Sequence, residues 1–206
     1  METLKGQRTT LTDSDHWTAV YANPDHQGSW HRPTLNESIT AIRRVAPRLP
    51  CDFLDIGAGR QRLGLSDVFD EPGTATAYAV DLTLQILGEP RPDVSYIAGD
   101  VLELELPKVD VWHDRAVLHF FTDAGERSTY RDQVARTVRP GGGVVIACFD
   151  ISGPEQCSGL PVVRRRPEDL AEEFQELCEV VELNRSVHLT PAGVEQQFSW
   201  FLGRKI

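Results

Sequence analysis

At 206 residues the chain has the size of one domain, long enough for a single large core. Its 40% hydrophobic and 25% charged content are ordinary for a globular protein, and a formal charge of −10 argues against unaided binding to nucleic acid or an anionic membrane. No apolar run approaches the length that spans a bilayer, and the start carries Lys5 and Arg8 without the apolar stretch of a secretory signal.

Cys51, Cys148, Cys157 and Cys178 lie far apart, without the close pairs of a zinc or redox site. A reducing cytoplasm and no bound metal are the expectation. Residues 1–35 are polar and irregular, yet hold His16, Trp17, Tyr21, Trp30 and His31. Aromatic side chains in such a segment predict docking. It is expected to be a lid, either over the edge of the core or over a bound ligand, on a single domain of residues 36–206.

Thr34-Leu35-Asn36-Glu37 has the spacing of a capping box and predicts a helix with Ile39, Ile42 and Val45 on one face, ended by Pro47 and Pro50. A first strand, from Phe53, runs into Asp55 and is followed by Gly57-Ala58-Gly59. Continuous apolar runs of this kind are strands of a parallel sheet covered on both faces. A short crossover helix is expected over 61–70, with Glu71-Pro72-Gly73 as the turn out of it. The second strand, Thr76 to Val80, ends at Asp81, and a short helix over 83–90 is stopped by Gly88 and Pro90.

The third strand, Val94 to Ala98, precedes Gly99-Asp100-Val101, and the fourth, Val109 to Trp112, runs into His113-Asp114-Arg115, with His119 just beyond. Asp123 is placed to cap a helix from Ala124 to Val138. Arg139-Pro140-Gly141-Gly142-Gly143 breaks the chain before a fifth strand, Val144 to Phe149. A loop with Cys157-Ser158-Gly159-Leu160-Pro161 leaves that strand on the side where open α/β sheets bind ligands. Arg164-Arg165-Arg166 fits a solvated face or an anion site, before a helix over 168–176 with Pro167 at its start. Glu179 to Leu183 and Gln197 to Leu202 read as closing strands.

The glycine turn after the first strand decides the ligand class. A dinucleotide fingerprint needs a third glycine, and Arg62 stands there. Asp55 before the turn repels a pyrophosphate and attracts an ammonium group. That combination suits S-adenosylmethionine, which has a cationic amino-acid tail and no phosphate. Asp81, slightly more than 20 residues after the turn, fits a ribose-binding acid or a helix cap. Asp100 fits an adenine contact or a turn, and all three acidic tips are expected to line one crevice.

Asp55-Ile56-Gly57-Ala58-Gly59, Asp81, Gly99-Asp100-Val101 and Arg139-Pro140-Gly141-Gly142 together resemble the class I S-adenosylmethionine-dependent methyltransferases. His16-Trp17, Trp112 to Val117 and Cys157 to Val162 resemble a small bacterial subgroup related to thiopurine-type and small protein-lysine methyltransferases. The resemblance implies a Rossmann-like, doubly wound α/β fold with a seven-stranded sheet, mostly parallel, whose last strand inserts antiparallel. It implies a cofactor site of Trp17, Asp55, Gly57, Ala58, Gly59, Asp81, Leu82, Asp100, Val101 and His113. Tyr21, Arg115, His119 and Cys157 are then expected around the acceptor, with S-adenosylhomocysteine as product.

His113 is the expected base where the acceptor arrives protonated, oriented by Asp114; the same residues also fit a hydrogen-bonded turn or an ion pair. The expected function is methyl transfer to a small molecule. The alternatives are a protein lysine as acceptor and a domain that binds the cofactor without turnover. A nicotinamide dehydrogenase is opposed by Arg62.

Overall fold

The computed structural model describes residues 14–22, 28, 31, 34–87 and 89–206. Trp30, Gly88, Lys5 and Arg8 lie outside the described residues. The apolar runs of the sequence become β1 (Phe53–Ile56), β2 (Ala77–Asp81), β3 (Val94–Ala98), β4 (Val109–Arg115) and β5 (Val138–Phe149). A small hairpin of β6 (Gln156–Cys157) and β7 (Leu160–Pro161) follows, then β8 (Cys178–Leu189) and β9 (Glu195–Lys205). Seven strands form one sheet in the order β3-β2-β1-β4-β5-β9-β8. The first five are parallel, and β9 inserts antiparallel to both neighbours, as expected.

The helices are α1 (Ser14–Ala22), α2 (Asn36–Val45), α3 (Leu65–Val68), α4 (Leu84–Leu87), α5 (Ala124–Thr137) and α6 (Pro167–Phe174). All of β1 and the first six residues of β4 are buried, because a central parallel strand is covered on both faces. Alternate residues divide the core. Phe53, Val111 and Val145 pack with Ile42 and Val45 of α2 on one face. Leu54, Trp112, Val144 and Ile146 pack with Tyr130 of α5 and Phe174 of α6 on the other. Each such side chain contributes about 1.5–3 kcal/mol through burial.

Several local expectations change. α2 starts at Asn36 behind Leu35, with no side-chain cap, so Glu37 falls one position too early for a capping box with Thr34. The single crossover helix expected over 61–70 is a 3-10 turn (Gly59–Gln61) and the one-turn α3. The Asp67 carboxylate accepts the Gly64 N–H at 2.8 Å and starts that turn afresh. The fifth strand begins at Val138, before the glycines, and pairs with β4 across a bulge between Val109 and Val111. Asp123 does cap α5, accepting from the N–H groups of Gly125 and Glu126.

The fourth strand extends past Trp112 to Arg115, so His113 and Asp114 are strand residues paired in register with Asp55 and Ile56. His113 and Asp114 are buried in the sheet, and Arg115 ends the strand half-buried. Arg164, Arg165 and Arg166 each meet an acid of the same chain, namely Glu155, Glu173 and Asp169. Among the described residues no helix is long and apolar enough to cross a membrane.

Candidate functional site

The turn after β1 is built around two left-handed glycines, Gly57 at φ +63° and Gly59 at φ +55°. A side chain is excluded twice over. A Cβ on Gly57 would lie 2.2 Å from Cγ2 of Val117, and one on Gly59 would lie 2.6 Å from the Tyr21 hydroxyl. The N–H groups of Gly57 and Ala58 donate to the Val80 carbonyl at 2.9 and 3.2 Å, which carries the β1–β2 pairing into the turn.

The acids at the strand ends divide into two kinds. Asp81 lines a cavity beside the turn and accepts the N–H of Gly59 at 2.9 Å and of Leu82 at 2.8 Å. Burial raises its pKa to about 6 against the pull of those two bonds. Asp100 and Val101 line the same cavity, where Asp100 also accepts the Leu102 N–H at 2.9 Å. Asp55 faces inward instead. One of its oxygens meets Nδ1 of His113 at 2.8 Å and the other accepts the Leu63 N–H at 2.9 Å. Both are engaged within the fold, because Asp55 and His113 are direct neighbours across the β1–β4 ladder.

His113, Asp114 and His119 are buried and are not part of the cavity lining. Nε2 of His113 has no hydrogen-bond partner among the described residues. His119 sits against the rings of Phe120 and Phe149, and burial together with the nearby Arg165 pushes its pKa down to about 3. It is neutral at physiological pH. Asp114 accepts from the N–H groups of Val117 and Leu118 and from the Tyr130 hydroxyl, and burial raises it to about 6.

The opposite wall is aromatic. α1 places Trp17 and Tyr21 on one face, at the four-residue spacing of neighbouring helical turns, and both line the cavity. Trp17 meets Phe120 edge-on at 5.3 Å, and the Arg60 guanidinium stacks over the Tyr21 ring at 5.5 Å while donating to the Tyr21 carbonyl. Cys157 and Arg115 also line the cavity. The β6–β7 hairpin delivers Cys157 through a two-residue turn with φ positive at both Ser158 and Gly159.

Ala116, Val117, Phe120 and Phe121 complete the wall and were not anticipated. The Phe120-Phe121 pair directly after the fourth strand was a usable signal for an aromatic wall. Ala116 at φ +76° had none, since alanine seldom marks a left-handed position.

The cavity leaves about 100 Å³ of space open to water-sized molecules. It lies at the crevice between β1 and β4, where the strand order reverses. Carboxylates with apolar neighbours on one wall are suited to a nucleoside, and an aromatic wall facing them is suited to a second, flat or apolar molecule.

No family model matches the sequence, and no curated protein matches it either. Solved structures do match. One is a Burkholderia thailandensis 1,6-didemethyltoxoflavin-N1-methyltransferase with bound 1,6-didemethyltoxoflavin and S-adenosylhomocysteine. It is 23% identical, with a TM-score of 0.62 over 95% of this chain and 88% of that one. The N-methyltransferase NodS from Bradyrhizobium japonicum, in complex with S-adenosylhomocysteine, is 15% identical. Its TM-score is 0.62 over 92% of this chain and 98% of that one. Human N-acetylserotonin methyltransferase, in complex with S-adenosylmethionine, is 18% identical with a TM-score of 0.59. The match covers 82% of this chain and 51% of that one, so this chain spans about half its length. The fold is that of the class I S-adenosylmethionine-dependent methyltransferases.

Proposed function

We propose that this chain is an S-adenosylmethionine-dependent methyltransferase acting on a small-molecule acceptor. The observation that carries the reading is the acid-lined cavity beside Gly57 and Gly59, at the strand-order reversal of a fold whose neighbours are solved with this cofactor or its product. The residues present fit the group. The glycine turn brings backbone close to the cavity wall where any side chain would collide, and Arg62 stands where a pyrophosphate-binding turn has its third glycine.

In this reading the backbone of Gly57, Ala58 and Gly59 faces the methionine end, with the Asp55 carboxyl group behind it, fixed by His113 and the Leu63 N–H. Asp81 accepts from the ribose hydroxyls, and Leu82 packs beside them. Asp100 and Val101 take the adenine, one by hydrogen bonding and one by contact. Trp17 and Tyr21 cover the site as the lid expected of the N-terminal segment, and Tyr21, Arg115 and Cys157 face the acceptor. His113 serves the cofactor end through its bond to Asp55.

When bound, the sulfonium supplies an activated methyl group and a neutral leaving group. The chain's contribution is alignment and exclusion of water. The aromatic wall of Trp17, Tyr21 and Phe120 holds an acceptor against the donor, and a fixed geometry converts an encounter into a unimolecular step. No general base from the chain is required where the acceptor brings a free lone pair, which accords with His113 and His119 lying off the cavity lining.

The aromatic character of the cavity supports a small, flat acceptor over a protein lysine. The charge of −10 accords with no nucleic-acid partner. Four free, buried cysteines accord with a reducing, cytoplasmic setting. The test is incubation with methyl-labelled S-adenosylmethionine and fractionated metabolite pools, read by mass spectrometry. Labelled product with S-adenosylhomocysteine release is expected from the metabolite fractions. Label on protein instead makes the acceptor a lysine, retention of cofactor without release makes the chain a binder, and binding of NAD alone overturns the reading.

A further inference from the structure

We infer that Asp114 is a positioning residue, holding the Ala116–Val117 turn from inside the sheet in the conformation that forms the cavity wall against Gly57. The inference rests on the reading of this cavity as the S-adenosylmethionine site.

Asp114 is fully buried near the end of β4. Its Oδ1 accepts the Val117 N–H at 2.8 Å; its Oδ2 accepts the Leu118 N–H at 2.9 Å and the Tyr130 hydroxyl at 2.5 Å. Tyr130 is itself held by the indole N–H of Trp112 at 2.8 Å. No lysine or arginine pairs with this carboxylate among the described residues. An acid buried without a counter-charge is costly, and what it gains lies in the turn it bonds.

That turn is strained. Ala116, between the carboxylate and its backbone donors, has φ +76°, a conformation that a residue with a Cβ seldom adopts. The Ala116 N–H donates to the Ala147 carbonyl at 2.8 Å, and the next two N–H groups are the ones bonded to Asp114. The strained residue is therefore fixed from both sides. The result is felt in the cavity: Ala116 and Val117 line it, and Cγ2 of Val117 fills the space beside Gly57 that a Cβ there would need. Asp114 does not line the cavity, but it sets two residues that do.

Asparagine has the shape of aspartate but presents N–H groups on one side, so it cannot accept along both edges. Calorimetric titration with S-adenosylhomocysteine would compare the parent, Asp114→Asn, Ala116→Gly, and the two combined. Asp114→Asn is expected to weaken binding at least tenfold. In the Ala116→Gly background the same substitution is expected to cost under threefold, because glycine holds the left-handed conformation unaided. An equal loss in both backgrounds, or no loss in either, overturns the inference, since a merely structural acid is indifferent to residue 116. Should Asp114→Asn alone not fold, the combined variant is expected to fold by circular dichroism, and its failure to do so also overturns the inference. A parent that binds no S-adenosylhomocysteine overturns the reading of the site as well, and is told apart because the loss then precedes any substitution.

Discussion

The two ends of the sheet carry the same acidic side chain in opposite settings. At the amino-terminal end, one nitrogen of Arg139 lies 3.1 Å from an oxygen of Asp52 and 3.1 Å from one of Asp110, and Arg48 reaches Asp110 at 3.2 Å. At the carboxyl-terminal end, Asp55, Asp81 and Asp114 are held by backbone N–H groups, an imidazole and a phenol. No lysine or arginine pairs with them among the described residues. An acid bonded to arginine joins strands and cancels its own charge, whereas one held by neutral donors keeps it. Burial raises the pKa of Asp81 and Asp114 to about 6, and the neutral donors that hold them oppose that rise. One end of the sheet is fastened, and the other is left negative, ready for a cationic ligand under the function proposed here.

The strongest way to break this contrast is to close the ligand end sterically. Gly57→Val puts a β-branched side chain at φ +63° and drives its Cβ into Val117. Binding of S-adenosylhomocysteine is expected to fall more than about a hundredfold, since both the turn and the open backbone are lost. Calorimetry that finds binding within tenfold of the parent would show that the ligand approaches elsewhere.

Removing a charge at the ligand end is the next largest effect. Asp81→Ala takes away the carboxylate that also anchors the Gly59 and Leu82 N–H groups. Hydrogen bonds to a charged group are worth about 1.5–3 kcal/mol each, so affinity is expected to drop roughly ten- to a hundredfold. The same titration checks it, with circular dichroism to confirm the fold. Unchanged affinity in a folded variant would remove Asp81 from the ribose role.

The matching substitution at the fastened end should act on stability alone. Arg139→Ala leaves Asp52 and Asp110 without the cation they share. The arginine is 39% exposed, so solvent screens the loss, and about 1–2 kcal/mol of unfolding free energy is the expected cost by denaturant melt. Affinity for S-adenosylhomocysteine should stay within twofold. A larger change in affinity would mean that the two ends are coupled and the contrast is false.

The strands are legible in the sequence as short, mainly apolar runs with an acid in, at or soon after the end. β3, for example, has the bounds expected of it. Which acids face the ligand was not legible, because that depends on register. Asp55 pairs with Ala79, two residues short of Asp81, and the ladder hands it to His113, while Asp81 at the end of β2 stays on the cavity wall. His113-Asp114-Arg115 reads as a strand tip facing the ligand, or as a hydrogen-bonded turn. Here His113 and Asp114 are interior, and His113 bonds through Nδ1 to a residue 58 positions away that no local pattern reveals. The aromatic residues of the N-terminal segment are the sequence's one hint of docking, and of them Trp17 and Tyr21 line the cavity.

The gentlest way to sharpen the contrast is pH, which needs no substitution. Burial raises both Asp81 and Asp114 to about 6, with Asp55 adding repulsion at the first and His113 and Tyr130 opposing the rise at the second. For an acid raised in the folded state, the stabilising contribution is full below its ordinary value of 3.8 and is lost as pH rises through 6. These two groups therefore favour folding more at pH 5.5 than at pH 7.5. Binding moves the other way, because the charge and the acceptor capacity it relies on vanish on protonation. Each acid that must be ionised reduces affinity about fourfold at pH 5.5 and about tenfold at pH 5, as follows from a pKa near 6. Titration with S-adenosylhomocysteine between pH 7.5 and 5 should show that decline. Asp81→Asn should remove one share of it and Asp114→Asn the other, while Arg139→Ala, at the far end of the sheet, should leave the slope intact. A flat profile in the parent would mean that neither acid is ionised when the ligand binds, and the negative end of the sheet would lose its role.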